Sequence, residues 1–250
     1  MLTYISIIAG ICVSTFSKFF HLGAGATWPG EIALGIDKTI LRTLSKKIKK
    51  GVIIVAGTNG KTTTTRMIRT VLEKSGANVL TNESGANLKN GIVSAFLVSP
   101  SILFSSFDYA IFEVDENSVP IVCKEMTPKI IVMLNLFRDQ LDRYGEVDSI
   151  VTKWKNMVSA LPKSTRLILD ADDPGIAYIG YKAEQQIDYF GIESSDLFLS
   201  VVDHATDSIY CPVCGKKLAY GGTYYSHLGK WACGSCGFTH PVVSLTGMDV

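Results

Sequence analysis

The stretch that decides the fold is Val52-Ile53-Ile54-Val55-Ala56-Gly57-Thr58-Asn59-Gly60-Lys61-Thr62-Thr63. Residues 52–56 form an unbroken apolar, mostly β-branched run, as a strand buried on both faces requires. Residues 62–75 read as a helix closed by Gly76. A Gly-containing loop between a buried strand and a helix suits phosphate. Its glycines let backbone N–H groups close around phosphate oxygens, and the helix N-terminus adds partial positive charge. Lys61 is placed to reach the β and γ phosphates, and the Thr62 hydroxyl to ligate Mg²⁺. The generic loop has a Gly five positions before Gly60. Val55 stands there, so the shorter Gly-Thr-Asn-Gly-Lys-Thr-Thr form is what remains. The competing reading is a Gly-rich turn with a chance lysine, and the strand–loop–helix setting argues against it. Gly57, Thr58, Asn59, Gly60, Lys61, Thr62 and Thr63 are therefore expected at the nucleotide.

Working outward, residues 78–81, 109–114, 129–134 and 166–170 read as further strands, and residues 91–98 and 146–161 as helices. Strands alternating with helices predict an α/β fold with a doubly wound, mainly parallel sheet. Residues 1–20 read as a helix, 21–35 as a Gly- and Pro-containing loop, and 36–50 as a helix with a solvated basic end at 46–50. The apolar run from Leu2 to Phe16 is short for a membrane span and lacks the marks of a signal peptide. It reads as a buried or partner-facing helix.

In such sheets ligands bind beyond the carboxyl ends of the strands, so the residues just past each strand carry the most information. Residues 109–112 lead into Glu113-Val114-Asp115-Glu116, acids placed to hold Mg²⁺ directly or through water. Solvated loop acids are the alternative, evenly balanced for Asp115 and Glu116. Residues 129–134 lead into Asn135-Leu136-Phe137-Arg138-Asp139-Gln140-Leu141-Asp142-Arg143. Arg138 is suited either to neutralising phosphate charge or to pairing with Asp139 or Asp142. Asp170-Ala171-Asp172-Asp173-Pro174 reads as a turn after a strand.

Six cysteines divide into two pairs, Cys211/Cys214 and Cys233/Cys236, and two singletons, Cys12 and Cys123. Two C-x-x-C knuckles eighteen residues apart supply four soft ligands, the donor set of a Zn²⁺ ribbon. A closed Cys₄ site makes that zinc structural, not catalytic. Residues 216–231 read as two short strands and a turn, with His227 and His240 as surface residues. Lys and Arg total 24 against 23 Asp and Glu, a net charge of +1. That balance and a ribbon without a dense basic face argue against nucleic acid. With 47% hydrophobic and 19% charged residues the chain is not disordered. Its cysteine usage fits a reducing, cytoplasmic setting.

The Gly-Thr-Asn-Gly-Lys-Thr-Thr loop resembles the ATP loop of the Mur ligase family, which includes the folylpolyglutamate synthases. The Asn135–Gly145 segment, the ribbon, and the lead-in around Gly23-Ala24-Gly25-Ala26-Thr27-Trp28-Pro29-Gly30 resemble its MurT branch in particular. The resemblance implies ATP-dependent amidation, through an acyl phosphate, of the D-glutamate α-carboxyl in the lipid II stem peptide. Ammonia would come from a GatD-type glutaminase partner. It implies that Lys61 and Glu113 are catalytic, with Thr62 and Glu113 on Mg²⁺. Asn87, in the Asn82–Leu88 segment, would face the γ-phosphate, and Asn135 and Arg138 would also serve the nucleotide. Gln140 stands where many relatives carry His, which puts a second metal there in doubt. Some Mur ligases use a carbamylated lysine in this region, and Lys153 and Lys155 are equal candidates here. The expected organisation is a lead-in at 1–50, an ATP-binding domain at 51–206 and an inserted ribbon at 207–245. On this resemblance the chain is expected to be either a fragment, truncated before the rest of the ATPase domain and a C-terminal domain, or a naturally short protein with reduced function, and to be inactive alone. The site of action would be the inner face of the membrane, with the N-terminal helix a candidate for peripheral contact. The alternatives are another Mur-type amide ligase acting on a cell-wall or folate-like carboxylate, and a non-catalytic nucleotide- or nucleic-acid-binding module.

Overall fold

The computed structural model describes residues 2–19, 27–82, 85–99, 106–138, 146–199 and 208–247. The chain divides into two compact units, Met1–Ala56 with Gly60–Ile130, and Gly57–Asn59 with Ile131–Val250.

The first unit contains, in chain order, α1 (Leu2–Phe19), α2 (Trp28–Ile36), α3 (Ile40–Ser45), β1 (Ile48–Ala56), α4 (Lys61–Lys74), β2 (Val79–Thr81), α5 (Lys89–Val98), β3 (Phe107–Val114) and α6 (Val119–Glu125). Its strands run in the order β2-β3-β1. Both pairings are parallel, with Ala56 opposite Val114 and Thr81 opposite Ile111. Residues 52–56 are buried, as their unbroken apolar run predicts. Phe96 of α5 and Phe112 of β3 pack at 5.6 Å in the same core.

Two expectations fail here. Residues 28–36 form a helix, α2, instead of extending the loop. Pro29 lies in the first turn, where a missing N–H costs nothing. Gly30 lies where α2 meets α5: its N–H donates to Ser94 Oγ at 2.8 Å, and a Cβ would sit 1.9 Å from the Asn90 carbonyl oxygen. Gly and Pro serve packing at these positions, not chain reversal. The second failure is the helix expected over 36–50. Only Ile40–Ser45 is helical, and Ile48–Lys50 open β1, with Ile48 opposite Phe107. The basic run therefore edges a strand, and Lys50 pairs with Asp108 at 3.2 Å.

The helix α1 turns Ser6, Gly10 and Ser14 inward and leaves Leu2, Tyr4, Ile5, Ile8 and Phe16 exposed. Thr3 Oγ1 donates to Asp37 Oδ2 at 2.7 Å. That bond, with those from Thr39, holds the Asp37 carboxyl below the usual range. Among the described residues no helix is long and apolar enough to cross a membrane.

The second unit contains β4 (Ile130–Met133), α7 (Glu146–Ala160), β5 (Arg166–Asp170), α8 (Pro174–Gly180), β6 (Gln186–Ile192), β7 (Ala219–Tyr225), β8 (Leu228–Ala232) and β9 (Leu245–Gly247). Strands β4-β5-β6-β9 are neighbours in that order, with β6 parallel to both β5 and β9. The hairpin β7–β8 is antiparallel and forms its own small sheet. The fold class is therefore the one expected: α/β, mainly parallel, doubly wound. Helices α6 and α8 and strands β6 and β9 add to the elements expected from the sequence. The turn expected at 170–174 continues into α8, because Asp173 caps it, accepting from the N–H groups of Gly175 (2.8 Å) and Ile176 (3.2 Å).

Candidate functional site

The first unit carries the later part of the loop. Gly60 caps α4 with φ +85°, a left-handed conformation that favours glycine, and its carbonyl accepts from Thr64 N–H at 2.9 Å. Helix α4 then presents Lys61 and Thr62 towards the end of β3. Thr62 Oγ1 donates to Glu113 Oε2 at 2.7 Å. Glu113 is 3% exposed, and its Oε1 accepts from Gly85 N–H at 3.3 Å. Its backbone is clamped on both sides by Asn82, whose Oδ1 accepts from Glu113 N–H at 3.1 Å. Asn82 Nδ2 donates to Glu113 O at 2.9 Å and to Ala86 O at 2.8 Å. Lys61 Nζ lies 3.4 Å from Glu116 Oε1. The two loop acids thus part company. Glu116 meets the loop lysine, while Asp115 Oδ1 caps its own turn through Asn117 N–H at 3.1 Å. Asn87 is half-buried, and its carbonyl accepts from Asp115 N–H at 3.0 Å. Glu83 and Ser84 of that segment lie outside the described residues. Thr63 is exposed on α4.

The second unit carries the early part of the loop. Gly57 has φ +136°, and a Cβ there would sit 2.9 Å from the backbone N and O of Asn135. Thr58 N–H donates to Asn135 O at 2.7 Å, and Asn59 N–H to Asn135 Oδ1 at 2.9 Å. Phe137 N–H donates to Thr58 Oγ1 at 2.9 Å. Asn135 thus braces the loop backbone with its amide, and Arg138 is half-buried just beyond it. Asp139, Gln140 and Asp142 lie outside the described residues.

The Asp170–Asp173 turn is busier than a plain turn. Leu136 N–H donates to Asp173 Oδ2 at 2.9 Å, and His227 Nε2 lies 3.4 Å from the same oxygen. Asp172 Oδ2 accepts from Ile192 N–H at 2.9 Å, and Asp172 Oδ1 lies 2.9 Å from His240 Nε2. Burial first, then the charges of Asp173 and Asp172, push the Asp170 carboxyl well above its usual range. The surface reading of the two histidines is overturned. His227 is fully buried against the Phe137 ring at 4.7 Å, and the His240 side chain is 10% exposed. Both follow from the β7–β8 hairpin folding onto this turn, where Gly229 N–H donates to Asp172 O at 3.0 Å.

Of the two candidate lysines, Lys153 is exposed on α7. Lys155 Nζ donates to the carbonyls of Tyr178 (2.7 Å) and Tyr181 (2.8 Å), closing the C-terminus of α8. It lies 4.1 Å from the Tyr178 ring centre, and burial lowers its pKa.

The four paired cysteines converge. Their Sγ atoms all lie within 4.8 Å of one another. Cys211 and Cys236 are 3.6 Å apart, Cys214 and Cys233 3.5 Å. A tetrahedron with zinc–sulfur bonds of about 2.3 Å has edges of about 3.8 Å, so the four thiols fit one ion. Gly215 (φ +71°) and Gly237 (φ +76°) close the knuckles, donating to Cys211 O at 2.8 Å and Cys233 O at 3.1 Å. The N–H of Ser235, foremost, draws the Cys233 thiol down to about 6. The cluster shares a core with Leu218, Trp231 and Phe238, and with Ala177 of α8. Cys12 is exposed. Cys123 is buried, and burial pushes its thiol up to about 12.

The Mur ligase middle domain matches residues 55–216. The chain is 37% identical over 216 residues to the MurT subunit of lipid II isoglutaminyl synthase (glutamine-hydrolyzing) from Staphylococcus aureus, covering 86% of this chain and 47% of that protein. It is 35% identical over 223 residues to the subunit of the same name from Streptococcus pneumoniae, covering 88% and 48%. The chain thus spans about half the length of these curated relatives. Among solved structures, MurF from Acinetobacter baumannii matches at 26% identity and a TM-score of 0.52, covering 64% of this chain and 34% of that one. MurF from Thermotoga maritima, solved with ADP, shares the fold at 18% identity and a TM-score of 0.53, covering 64% and 36%. With its middle-domain match extending over most of the sequence and its loop, strand ends and sheet arranged as described, the chain belongs to the Mur ligase family.

Proposed function

We propose that this chain is the synthetase part of a glutamine-dependent amidotransferase acting on lipid II. The reaction is ATP-dependent amidation of the D-glutamate α-carboxyl of the stem peptide. A carboxylate oxygen attacks the γ-phosphorus of ATP and releases ADP. Ammonia then attacks the acyl phosphate carbon, inorganic phosphate leaves, and a proton is lost from nitrogen. A GatD-type glutaminase supplies the ammonia from glutamine. The observation that carries the reading is the 2.7 Å bond between Thr62 Oγ1 and Glu113 Oε2. It joins the hydroxyl next to the loop lysine to a buried carboxylate at a strand end. That pairing of hard oxygen donors suits Mg²⁺.

In this reading Lys61 and the N–H groups of Gly57–Thr63 hold the phosphates, with Asn87 and Arg138 adding contacts and Asn135 bracing the loop. Lys61 exchanges Glu116 for a phosphate oxygen when nucleotide binds. Thr62 and Glu113 hold Mg²⁺, which supplies charge neutralisation on the phosphates. The chain's own contribution is positioning and preorganised charge. The four cysteines hold a structural Zn²⁺ that fixes the ribbon. The proposed organisation is a lead-in at 1–50, the nucleotide domain at 51–206 and the ribbon at 207–245. The setting is the cytoplasmic face of the membrane, where lipid II is accessible, without a nucleic-acid partner.

The test uses the full-length protein with its glutaminase, lipid II and ATP. ADP release is expected to require the acceptor and to match amide formed one to one. Lys61→Ala is expected to abolish it, and Thr62→Val to slow it about 100-fold or more, as for loss of one preorganised electrostatic contact. ADP release that ignores the acceptor, or that survives Lys61→Ala, overturns the reading.

A further inference from the structure

The first unit holds a cavity of about 440 Å³ on the Glu113 side of α4; of its lining, the nucleotide chemistry above uses Thr62 and Glu113 and leaves Thr65, Arg66 and Arg69 without a role. Its volume is that of a small-ligand site. Thr62, Thr65, Arg66 and Arg69 line it from the helix, and Asn82 and Glu113 from the strand ends. The helix residues recur at i, i+3, i+4 and i+7, one continuous face. At 1.5 Å rise per residue, Arg66 lies about 6 Å and Arg69 about 10 Å along the axis from Thr62.

The cavity is polarised along this face. At one end the Glu113 carboxylate is fixed by Thr62 and Gly85. At the other stand two guanidinium groups. Arg66 makes no ion pair among the described residues. Arg69 pairs with Glu73 Oε1 at 2.8 Å, both side chains more than 40% exposed. Such an exposed i,i+4 pair is worth only about 0.3–0.5 kcal/mol and is readily exchanged for a ligand. Between the two ends Thr65 is 5% exposed, and its Oγ1 has no hydrogen-bond partner among the described residues. A buried hydroxyl left unsatisfied beside a polar cavity is a group waiting for a partner.

We infer that this cavity receives the acceptor substrate, and that Arg66 and Arg69 bind a second anionic group on it. This rests on the carboxylate-activating reading of the site. The carboxyl to be activated sits at the Thr62–Glu113 end, and another carboxylate or phosphate of the same molecule lies about 6–10 Å away along α4, given the helix rise. Arg is the residue suited to forked recognition of such oxygens. Arg66 and Arg69 are specificity residues here, since neither touches the reacting atoms.

The test is equilibrium binding to the full-length protein holding Mg²⁺ and a non-hydrolysable ATP analogue, so that the loop is filled. Two probes separate the sources of the anion: the tripeptide L-alanyl-γ-D-glutamyl-L-lysine, and inorganic pyrophosphate. Arg66→Ala and Arg69→Ala are each expected to weaken at least one probe about tenfold or more, the loss typical of a charge-assisted hydrogen bond. Arg66→Lys should fall between. Nucleotide affinity should change less than twofold. In turnover, KM for the acceptor rises while kcat and KM for ATP hold. Loss of the tripeptide assigns a carboxylate to the arginines, and loss of pyrophosphate assigns a phosphate; either supports the proposal. If the nucleotide binds and neither variant alters either probe, the cavity is not the acceptor site, while the ligase reading stands. If the nucleotide does not bind, the ligase reading falls, and the probes alone decide whether the cavity takes anions.

Discussion

Replacing Asn82 with alanine tests whether the strand end that carries Glu113 is held as described. The amide makes three buried hydrogen bonds, at 2.8, 2.9 and 3.1 Å, and the residue is 7% exposed. Truncation deletes all three and leaves the Glu113 N–H, the Glu113 carbonyl and the Ala86 carbonyl without their side-chain partner. At about 1 kcal/mol per bond the loss is about 3 kcal/mol. For a chain of this length that lowers Tm by about 6–12 °C. Thermal unfolding monitored by circular dichroism reads it directly. Asn82→Asp sharpens the test because its shape is unchanged. The new carboxyl still accepts from Glu113 N–H but faces two carbonyl oxygens where the amide donated. Its folded-state pKa is therefore raised above the unfolded value of about 3.9, and the loss of stability sets in as pH rises through that value. At pH 7 Asn82→Asp should melt lower than Asn82→Ala, and below about pH 4 the order should reverse or close. If Asn82→Ala melts within about 1 °C of the parent, well inside the shift expected from three lost bonds, the clamp carries no weight and the reasoning is wrong.

Two further outcomes are expected. Metal analysis should give one zinc per chain. Chelation or Cys233→Ser should change Trp231 fluorescence, because Trp231 packs 4.8 Å from Phe238 in the cysteine core. A metal-free protein whose Trp231 signal ignores chelator would rule the centre out. Asp170→Asn should raise stability at neutral pH, with the gain vanishing in acid. Burial lifts the folded-state pKa of Asp170 above its unfolded value, so its cost appears as pH rises from the unfolded pKa towards the folded one. The amide keeps the Oδ1 that accepts from Asp172 N–H at 2.9 Å. Equal stability of the two proteins from pH 3 to pH 8 would refute this.

Much of the parallel sheet was legible because a strand buried on both faces must be apolar throughout. Residues 52–56 and 109–112 carry that signature whatever surrounds them. The phosphate loop was legible for a related reason: glycine, lysine and threonine at fixed spacing are dictated by local backbone geometry. The four cysteines converge as their spacing implies, since each knuckle is a local turn closed by its own glycine. The elements that escaped notice are those whose reasons lie elsewhere in the chain. Gly30 looks like a loop residue until Asn90 and Ser94 are seen against it. The lysines at 49 and 50 look like a helix end until Phe107 is seen pairing with Ile48.

The same division runs through the candidate site. Sequence alone determined the residue types: a lysine and threonine after the loop, an acid at a strand end, four thiols in two pairs. Which partner each one meets was decided by tertiary structure. Of two adjacent acids, Glu116 meets Lys61 and Asp115 caps its own turn. Of two histidines that read alike, His227 and His240 each settle on a different buried aspartate. Asn82, given no role of its own by the sequence, holds Glu113 through two bonds that close only when β2 and β3 are adjacent, and its third bond goes locally to Ala86. Local spacing governs chemistry within a turn or two of backbone. A long-range hydrogen bond exists only once chain entropy has been spent bringing distant segments together, so no local pattern encodes it.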